Sequence, residues 1–482
     1  MNKFNDTYRP QYHYSAPENW INDPNGLVFF DGEYHLFCQH NPFANHWGPM
    51  YWGHAVSNDM LHWKHLPIAL EPDEFGTIFS GCCVVDYEDC SGLFDGKPGL
   101  VAIYTAHKDV ENKHPIETQC LAYSKDKGRT WIKYENNPIM TPPNTPDAYD
   151  YRDPKIIYDK DKKEWLMALG GGFYRFYKSK DLINWNLICE TKIFEEFPDI
   201  AYLDVENEPG KKYLLIAEAG FRYMLAHFEG NELIVDQGEL KADYAEGCQA
   251  AQTFFNITDG RTIWMAWLRD GSRGPTSPWR CSYSIPKELK LLKMKDGSIR
   301  LIQEPIKELD SLCKNIFSLK DSKVTKYTNV LENVKGRHLD IRVAVKDLEN
   351  VNVLNLKLFK DENGRHTLVR FDFKQHMMFV DYTGALDPQY DDLQTSFPDY
   401  TCPEPIKVRG TCYNAYFEKP EELSFRVLLD RSSVEVFVKD TDLEFSYCCY
   451  PRECADGLEL TSDGDYTVKQ LDVYEVESVW EE

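Results

Sequence analysis

Residues 20–26 read Trp-Ile-Asn-Asp-Pro-Asn-Gly, and the interpretation of the whole chain starts from this stretch. It places one carboxylate, Asp23, between two asparagines. Pro24 restricts the backbone, and Gly26 allows the conformations that a turn needs. These residue types predict a turn. Turns of this composition are common on protein surfaces, so the meaning of Asp23 depends on the residues downstream in the chain.

The residues after this stretch predict a β-hairpin. The apolar run 27–30 is followed by Asp31 and Gly32, and a second strand-like run occupies 33–39. An Asp-Gly pair between two such runs is typical of a tight two-residue hairpin turn. We therefore expect Asp23 to lie at the mouth of a hairpin.

An internal repeat extends this pattern over the first 310 residues. Each copy is Ser-x-Asp, a short polar turn and then Trp, preceded by an apolar or aromatic run. The copies are Ser57-Asn58-Asp59 with Trp63, Ser124-Lys125-Asp126 with Trp131, and Ser179-Lys180-Asp181 with Trp185. A hairpin that recurs at a coarse interval is typical of a β-propeller, and this length leaves room for about five blades.

The second part of the chain has a different sequence pattern. A short polar connection runs over 303–310, and the spacing of Ile306, Leu309 and Leu312 predicts a helical turn there. After it, apolar and polar residues alternate in four segments, 339–343, 368–373, 425–429 and 434–438. Alternation of this kind predicts an antiparallel β-sandwich. We expect an all-β protein with a propeller over 1–310 and a β-sandwich over 311–482.

Composition and charge limit the kinds of partner that we expect the protein to bind. The 482 residues carry a net charge of −24, which argues against nucleic acid and against anionic membranes. No apolar run approaches the ~18 residues of a membrane-spanning segment. The aromatic share of 14% is compatible with a sugar-binding enzyme, and equally with a β-rich core. A homo-oligomer is compatible with the sequence, which does not determine the oligomeric state.

The cysteines and the N-terminus predict a cytoplasmic protein. The 14 cysteines include two adjacent pairs, Cys82-Cys83 and Cys448-Cys449, which do not fit a disulfide framework. Residues 1–6 lack the apolar segment of a secretory signal. We expect reduced thiols and a location inside the cell.

No cofactor or metal is expected from the sequence. There is no Cys-x-x-Cys pair that would suggest zinc. Five histidines lie near one another in the chain at irregular spacings, namely His35, His40, His54, His62 and His65. Their spacing has no ligand pattern, so we interpret them as structural.

Two carboxylates stand out by their context. Cleavage of a glycosidic bond needs two carboxyl groups, one that attacks or stabilises the sugar and one that protonates the departing oxygen. Asp23 is the first candidate. Asp153 is the second, and Arg152 beside it is expected to keep it ionised. The alternative for Arg152 and Asp153 is a local surface ion pair of little energetic value.

A third candidate lies in the segment 195–200, Glu-Glu-Phe-Pro-Asp-Ile. A general acid stays protonated near neutral pH when apolar groups bury it and like charges surround it. Glu195, Glu196 and Asp199 supply the charges, and Phe194, Phe197 and Ile200 supply the apolar surface. The residues by themselves favour the alternative of a solvated acidic loop.

The sequence resembles glycoside hydrolase family 32, the β-fructofuranosidases, which include invertases, exo-inulinases and levanases. The motif Trp-[Met/Ile]-Asn-Asp-Pro-Asn-Gly matches at 20–26, Arg-Asp-Pro at 152–154, and Glu-Cys-Pro-Asp in part at 196–199. Supporting matches lie at 37–43, 47–48, 52–54, 79–81, 250–254, 275–280, 284–289 and 428–437. The resemblance covers essentially the whole chain.

The resemblance implies a fold, a mechanism and a set of site residues. The fold is a five-bladed propeller followed by a β-sandwich. The reaction is a retaining double displacement in which Asp23 is the nucleophile, Asp153 stabilises the transition state and Glu196 is the acid/base. The residues implied to line the fructose pocket are Asn22, Gln39, Trp47, Phe79, Ser80 and Arg152. One departure is Phe197, which stands where the family has Cys.

The expected function comes from this resemblance. It is release of terminal β-D-fructose from short inulin- or levan-type oligosaccharides and from sucrose. The alternative is a sucrose or sucrose-6-phosphate hydrolase. A fructosyltransferase would use the same residues, and a non-catalytic fructan-binding relative would need an eroded set of acids. Linkage preference, substrate length and the ratio of transfer to hydrolysis are not readable from the sequence.

Overall fold

The computed structural model describes residues 4, 6–111, 113–143, 150–269, 274–385, 387 and 412–480. Within these residues the regular structure consists of β-strands and a 3-10 helix at Lys307–Leu312. Five sheets of the described residues precede this helix and two come after it. The described residues contain no helix that is long and apolar enough to cross a membrane.

The five sheets before the helix form the blades of a propeller. Blade 1 contains β1 (Asn19–Phe30), β2 (Glu33–Asn41), β3 (Tyr51–Ser57) and β4 (Lys64–Leu70). Blade 2 contains β5 (Thr77–Asp86), β6 (Gly99–Lys108), β7 (Ile116–Ser124) and β8 (Ile132–Lys133). Blade 3 contains β9 (Arg152–Asp159), β10 (Glu164–Gly170), β11 (Tyr174–Ser179) and β12 (Asn186–Thr191).

The last two blades complete the ring. Blade 4 contains β13 (Pro198–Asp204), β14 (Lys212–Glu218), β15 (Arg222–Glu229) and β16 (Glu232–Lys241). Blade 5 contains β17 (Cys248–Thr253), β18 (Thr262–Leu268), β20 (Lys287–Lys293) and β21 (Ile299–Pro305). The short strand β19 (Trp279–Arg280) leaves blade 5 and pairs in parallel with β1. The first strands of the five blades contact one another in a closed ring, so they surround the propeller axis.

The repeated Ser-x-Asp and Trp motif forms the same turn in three blades. It joins the third strand to the fourth strand in blades 1, 2 and 3. The serine hydroxyl donates to the aspartate at 2.9, 2.8 and 3.1 Å, and the indole N–H of each tryptophan donates to the carbonyl three residues earlier. The prediction of a propeller from this repeat is therefore confirmed.

The hairpin around Asp31 and Gly32 is also confirmed. Both residues have positive φ, 48° and 83°, and they join β1 to its antiparallel partner β2. The expected turn at 20–26 is wrong, because β1 already begins at Asn19 and passes through Pro24. Its pairing with β2 slips between Ile21 and Pro24 and again between Asn25 and Val28. These two β-bulges accommodate the proline inside an inner strand and turn Asp23 out of the regular ladder.

The two sheets after the helix pack as a β-sandwich. The six-stranded sheet contains β22 (Cys313–Val324), β32 (Tyr466–Val476), β23 (Leu339–Lys346), β28 (Glu422–Asp430), β29 (Ser433–Val438) and β30 (Glu444–Cys448) in this order. The five-stranded sheet contains β27 (Cys412–Tyr416), β26 (Met377–Asp381), β25 (Thr367–Asp372), β24 (Val353–Lys360) and β31 (Gly457–Ser462) in this order. One apolar cluster drawn from both sheets fills the space between them.

The predicted fold class is confirmed, and most of its predicted elements are found. The four alternating segments correspond to β23, β25, β28 and β29. The helical turn is found at Lys307–Leu312, with Leu309 and Leu312 buried. The exact division between the domains at residues 310 and 311 stays a prediction.

Buried charges join the sandwich to the propeller. The carboxylate of Asp430 accepts hydrogen bonds from the backbone N–H groups of Gln11 and Tyr12, at 2.8 and 3.1 Å. The Nζ of Lys287 in blade 5 lies 2.7 Å from Glu444 of the sandwich. These contacts hold the sandwich against blade 5 and the N-terminal segment.

Candidate active site

One cavity of about 190 Å³ contains every residue that the sequence assigned to the site. Its lining includes Asn22, Asp23, Gln39, Trp47, Phe79, Ser80, Arg152, Asp153 and Glu196. The residues on inner strands lie near the N-terminal ends of those strands, and Glu196 lies two residues before the start of β13. The cavity therefore lies at one mouth of the propeller axis.

Asp23 is held at the cavity wall by its neighbours. Ser80 Oγ donates to its Oδ2 at 2.7 Å. Trp20 Nε1 donates to Asn22 Oδ1 at 2.8 Å, which orients the amide beside it. Burial raises the pKa of Asp23 to about 6, although the hydrogen bonds from Ser80 and Asn22 lower it and the Glu196 charge raises it further. Asp23 is thus ionised above this pH and able to act as a nucleophile.

Arg152 is the cation around which the acids of the site gather. Its Nη1 lies 2.6 Å from Asp150 Oδ1 and 3.5 Å from Glu117 Oε1. Its Nε lies 3.7 Å from Asp153 Oδ2, and its Nη2 lies 3.6 Å from Glu196 Oε2. One guanidinium group therefore places the second and third candidate acids beside the same space.

Asp153 occupies a strained position at the start of β9. Its φ is +63°, an uncommon value for a residue other than glycine, and its backbone N–H donates to Thr105 Oγ1 at 3.1 Å. Burial raises the pKa of Asp153 well above its ordinary value, and the charges of Asp23 and Glu196 add to this effect. The Arg152 charge acts in the opposite direction and lowers this pKa, so the expectation that Arg152 keeps Asp153 ionised stays a prediction.

Glu196, and not Glu195, reaches the cavity. The backbone N–H groups of both residues donate to Glu218 Oε1, at 2.7 Å from Glu195 and 3.3 Å from Glu196. The Glu196 side chain is 53% exposed, which agrees with the solvated acidic loop that the residues by themselves favoured and not with burial among apolar groups. Phe194 and Ile200 instead pack into the core between blades 3 and 4.

Phe197 is accommodated by small residues on neighbouring segments. It is buried with a φ of +45°, and it packs with Ala219 and Ala250. The Ala219 N–H donates to the Phe197 carbonyl at 3.1 Å. All three residues line the cavity, so the ring that replaces the family cysteine forms part of its wall.

An aromatic wall closes another part of the cavity. The rings of Trp47 and Phe79 meet edge to face, with centroids 6.4 Å apart. Phe79 also stacks on His107, with ring centroids 4.0 Å apart and an interplanar angle of 10°. Gln39 donates from Nε2 to the carbonyl of Ile78 at 2.9 Å, which fixes its amide beside this wall.

Several cavity residues were not predicted. Ala219, Gln249 and Ala250 line the cavity. Behind it, Glu117 contacts the Arg152 guanidinium, and Glu218 accepts the backbone N–H of Glu196. Ala250 belongs to the quoted motif at 250–254, and that motif could have identified it. The buried glutamates had no such signal, because their partners lie in other strands.

Two clusters of acids and cysteines outside the cavity have the spacing of metal ligands, within the part of the chain that the structure describes. The cluster of Asp243, Cys248 and Glu444 already surrounds Lys287, whose Nζ lies 2.7 Å from Glu444. Asp340 in the other cluster accepts hydrogen bonds from two arginines, Arg342 and Arg426. Basic side chains therefore occupy the positions that a cation would need.

The histidines of blade 1 contact each other and the backbone. His35 Nδ1 lies 3.1 Å from His54 Nε2, and burial lowers the pKa of both rings. His40 Nδ1 donates to the carbonyl of Trp20 at 2.8 Å. This partner lies two residues from Asn22, so His40 supports the strand that carries the site.

A propeller whose axial cavity collects three carboxyl groups around one arginine defines a glycosidase-type site. The chain matches two family descriptions, the glycosyl hydrolases family 32 N-terminal domain over residues 13–305 and the glycosyl hydrolases family 32 C terminal over residues 308–475. The chain belongs to glycosyl hydrolase family 32, which confirms the resemblance read from its motifs.

Individual relatives agree with this assignment. The chain is 35% identical to a levanase of Bacillus subtilis (strain 168), over 99% of this chain and 72% of the relative. It is 31% identical to a levanase of Bacillus sp. (strain L7), but spans only 53% of that protein. Among solved structures, the exo-inulinase of Aspergillus awamori superposes with a TM-score of 0.86 at 26% identity, covering 99% of this chain and all of the other.

Proposed function

We propose that this glycosyl hydrolase releases terminal β-D-fructose from sucrose and from short fructans, with retention of configuration. The observation that carries the proposal is the single cavity in which Asp23, Asp153 and Glu196 meet beside Arg152. The levanase and exo-inulinase names of the relatives support fructans as the substrate class.

The reaction proceeds in two displacements. The Asp23 carboxylate attacks the anomeric carbon of the fructosyl unit, while the Glu196 carboxylic acid protonates the departing glycosidic oxygen. This step breaks the glycosidic bond and leaves a fructosyl ester on Asp23. Glu196, now ionised, takes a proton from water, and the resulting hydroxide attacks the same carbon and frees Asp23. Two inversions give net retention.

The remaining residues bind the sugar. A buried Asp153 with a raised pKa can hydrogen-bond to the fructose hydroxyl groups, and the nearby Arg152 can donate to them. The Phe79 and Trp47 rings, which both line the cavity, offer apolar surface to the sugar. The cavity is smaller than the ~300–1,000 Å³ pockets of drug-sized ligands. It therefore suits one sugar unit, which supports cleavage from chain ends.

Charge favours a neutral substrate over sucrose 6-phosphate. Among the described residues that line the cavity, Arg152 is the basic one, and it already faces Asp153 and Glu196. A phosphate would therefore enter a predominantly acidic environment. We expect sucrose 6-phosphate to be hydrolysed no faster than sucrose.

Product analysis tests the proposal. The purified protein is incubated with sucrose, 1-kestose, inulin and levan, and the products are separated by chromatography. Fructose released from the chain ends is the expected product, with Asp23→Asn as the inactive control. Added methanol should yield methyl β-D-fructofuranoside if the configuration is retained. A ladder of oligosaccharides from the polymers, or the α-anomer, would contradict the proposal.

A further inference from the structure

Behind the cavity, a buried carboxylate connects two of its walls. We propose that Glu117 and His107 form a positioning pair that holds Arg152 on one side of the sugar and Phe79 on the other. This inference rests on the proposed function, since it assigns a role within the same site. Neither residue lines the cavity, so both act through the residues that do.

Glu117 lies in β7, and its side chain is only 1% exposed. Its Oε2 accepts the backbone N–H of Tyr151 at 2.7 Å, directly before Arg152. Its Oε1 lies 2.9 Å from His107 Nδ1 and 3.5 Å from Arg152 Nη1. One carboxylate therefore fixes both the backbone that leads into Arg152 and the guanidinium itself.

His107 links Glu117 to Phe79 in the aromatic wall of the cavity. A carboxylate only accepts hydrogen bonds, so His107 Nδ1 carries the hydrogen in the contact with Glu117. This bond sets the plane of the imidazole, and Phe79 stacks on it with centroids 4.0 Å apart. The second ring nitrogen, Nε2, lies 3.3 Å from Asp109, which restrains the ring at its other end. The Phe79 ring is thereby fixed in one orientation.

A purely structural role for Glu117 makes different predictions from a positioning role. Loss of a buried charge that only supports the fold lowers stability and leaves the kinetics of the folded fraction unchanged. Loss of a charge that positions Arg152 and Phe79 changes kinetic constants, because misplacement of about 1 Å can cost about 100-fold in rate. Kinetics and thermal stability must therefore be measured on the same variants.

Glu117→Gln keeps the shape of the side chain and removes its charge. We expect kcat on sucrose to fall about 10- to 100-fold, because Arg152 loses the carboxylate that holds it beside Asp153 and Glu196. His107→Leu removes the stacking face behind Phe79. We expect it to raise KM more than it lowers kcat, because the Phe79 wall binds the sugar ring before and during reaction alike.

A matched control is available in the contact between propeller and sandwich. Glu444 is equally buried, at 3% exposure of its side chain, and pairs with Lys287 at 2.7 Å. Glu444→Gln should lower the melting temperature while leaving kcat and KM within about twofold of wild type, since surface and core changes away from a site act on stability. Equal kinetic effects of Glu444→Gln and Glu117→Gln would contradict the positioning role.

A double variant tests the coupling directly. If Glu117 acts on kcat through Arg152, then Glu117→Gln combined with Arg152→Lys should lose little more kcat than Arg152→Lys alone. Multiplicative losses of kcat would overturn the proposal.

If Glu117→Gln does not fold, the kinetic constants of His107→Leu test the proposal instead, and an unchanged KM in that variant would overturn it. A wild-type protein that releases no fructose would refute the proposed function instead, which separates the two failures.

Discussion

Ser80 Oγ donates a 2.7 Å hydrogen bond to Asp23, the carboxyl whose pKa burial raises to about 6. This bond favours the ionised form, so it opposes the effect of burial. Asp23 attacks only as the carboxylate, and a raised pKa keeps it protonated up to a higher pH. The acid side of the activity profile thus reports on Asp23.

We predict that kcat/KM on sucrose falls below about pH 6, by roughly tenfold per unit of pH once Asp23 is protonated. The measurement is kcat/KM across the pH range over which the protein stays folded. Ser80→Ala removes a bond to the ionised form, so this limb should move to higher pH. Ser57→Ala, in a turn of blade 1 away from the cavity, is the control and should leave the limb in place. An unchanged limb in Ser80→Ala would disprove the assignment.

The second prediction concerns Asp23 as the nucleophile. Asp23→Asn keeps the shape but cannot form the fructosyl ester, so kcat should fall by several orders of magnitude. Asp31→Asn, at the exposed turn of the same hairpin, should leave kcat unchanged. Circular dichroism and melting temperature check that both variants fold. Near-normal turnover by a folded Asp23→Asn protein is the result that would refute this role.

The third prediction separates two adjacent acids. Glu196 borders the cavity and Glu195 does not. Glu196→Gln should abolish cleavage of sucrose and remove the basic limb of the pH profile. Glu195→Gln removes a neighbouring charge worth about one kcal/mol, so activity should stay within roughly tenfold. The reverse pattern would move the acid/base assignment to Glu195.

Local chemistry explains what the sequence predicted well. The turn at Asp31 and Gly32 needs positive φ at adjacent residues, which an Asp-Gly pair supplies. The Ser-x-Asp motif satisfies its own hydrogen bonds, as Ser57 and Asp59 show at 2.9 Å. Such features depend only on neighbours in the chain, so composition and spacing are enough to locate them.

Long-range contacts explain what the sequence did not predict. Glu117 meets Tyr151 across the gap between blades 2 and 3, and Glu218 at the end of β14 meets Glu195 just before the neighbouring strand β13. No periodic pattern marks either glutamate. The turn expected around Pro24 was wrong for the same reason, since the pairing of β1 with β2 overrides the local preference of proline and glycine. All nine predicted site residues line the cavity, and most of them were identified by the motifs of a family and not by a local pattern.

The fourth prediction concerns stability in acid. Burial alone would raise the pKa of Asp430, but hydrogen bonds from His13 and from the backbone N–H groups of Gln11 and Tyr12 lower it below its usual value. A carboxyl with a lowered pKa stabilises the fold above the unfolded pKa of about 4, and this stabilisation is lost as pH falls through the folded pKa.

Asp430→Asn tests this point by replacing a charged acceptor of several hydrogen bonds. It should lower the free energy of unfolding at pH 7 by about 2–3 kcal/mol. The difference from wild type should shrink as pH falls from about 4, the unfolded pKa, through the lowered pKa of the folded Asp430 carboxyl. Urea unfolding at pH 7 and at pH 3 measures both values. A difference that stays constant between these pH values would mean that the Asp430 charge does not contribute.

The fifth prediction concerns the thiols. Cys38, Cys82 and Cys281 are free and buried, and burial raises the pKa of each thiol to about 12. Thiols with such pKa values carry little thiolate near neutral pH and react slowly. Among the cysteines that the structure describes, the exposed ones are Cys412 and Cys454. We therefore expect a thiol reagent to modify these two first under native conditions, and the buried ones only after denaturation.

The same thiols predict the response to reducing agents. A disulfide typically contributes about 2–4 kcal/mol, so its reduction would lower the melting temperature by several degrees. For a protein stabilised without disulfides, melting curves with and without dithiothreitol should coincide. Mass spectrometry of the alkylated native and denatured protein identifies which cysteines react. A melting temperature that drops on reduction, or rapid native labelling of Cys38 or Cys82, would contradict the buried-thiol interpretation and with it the predicted cytoplasmic location.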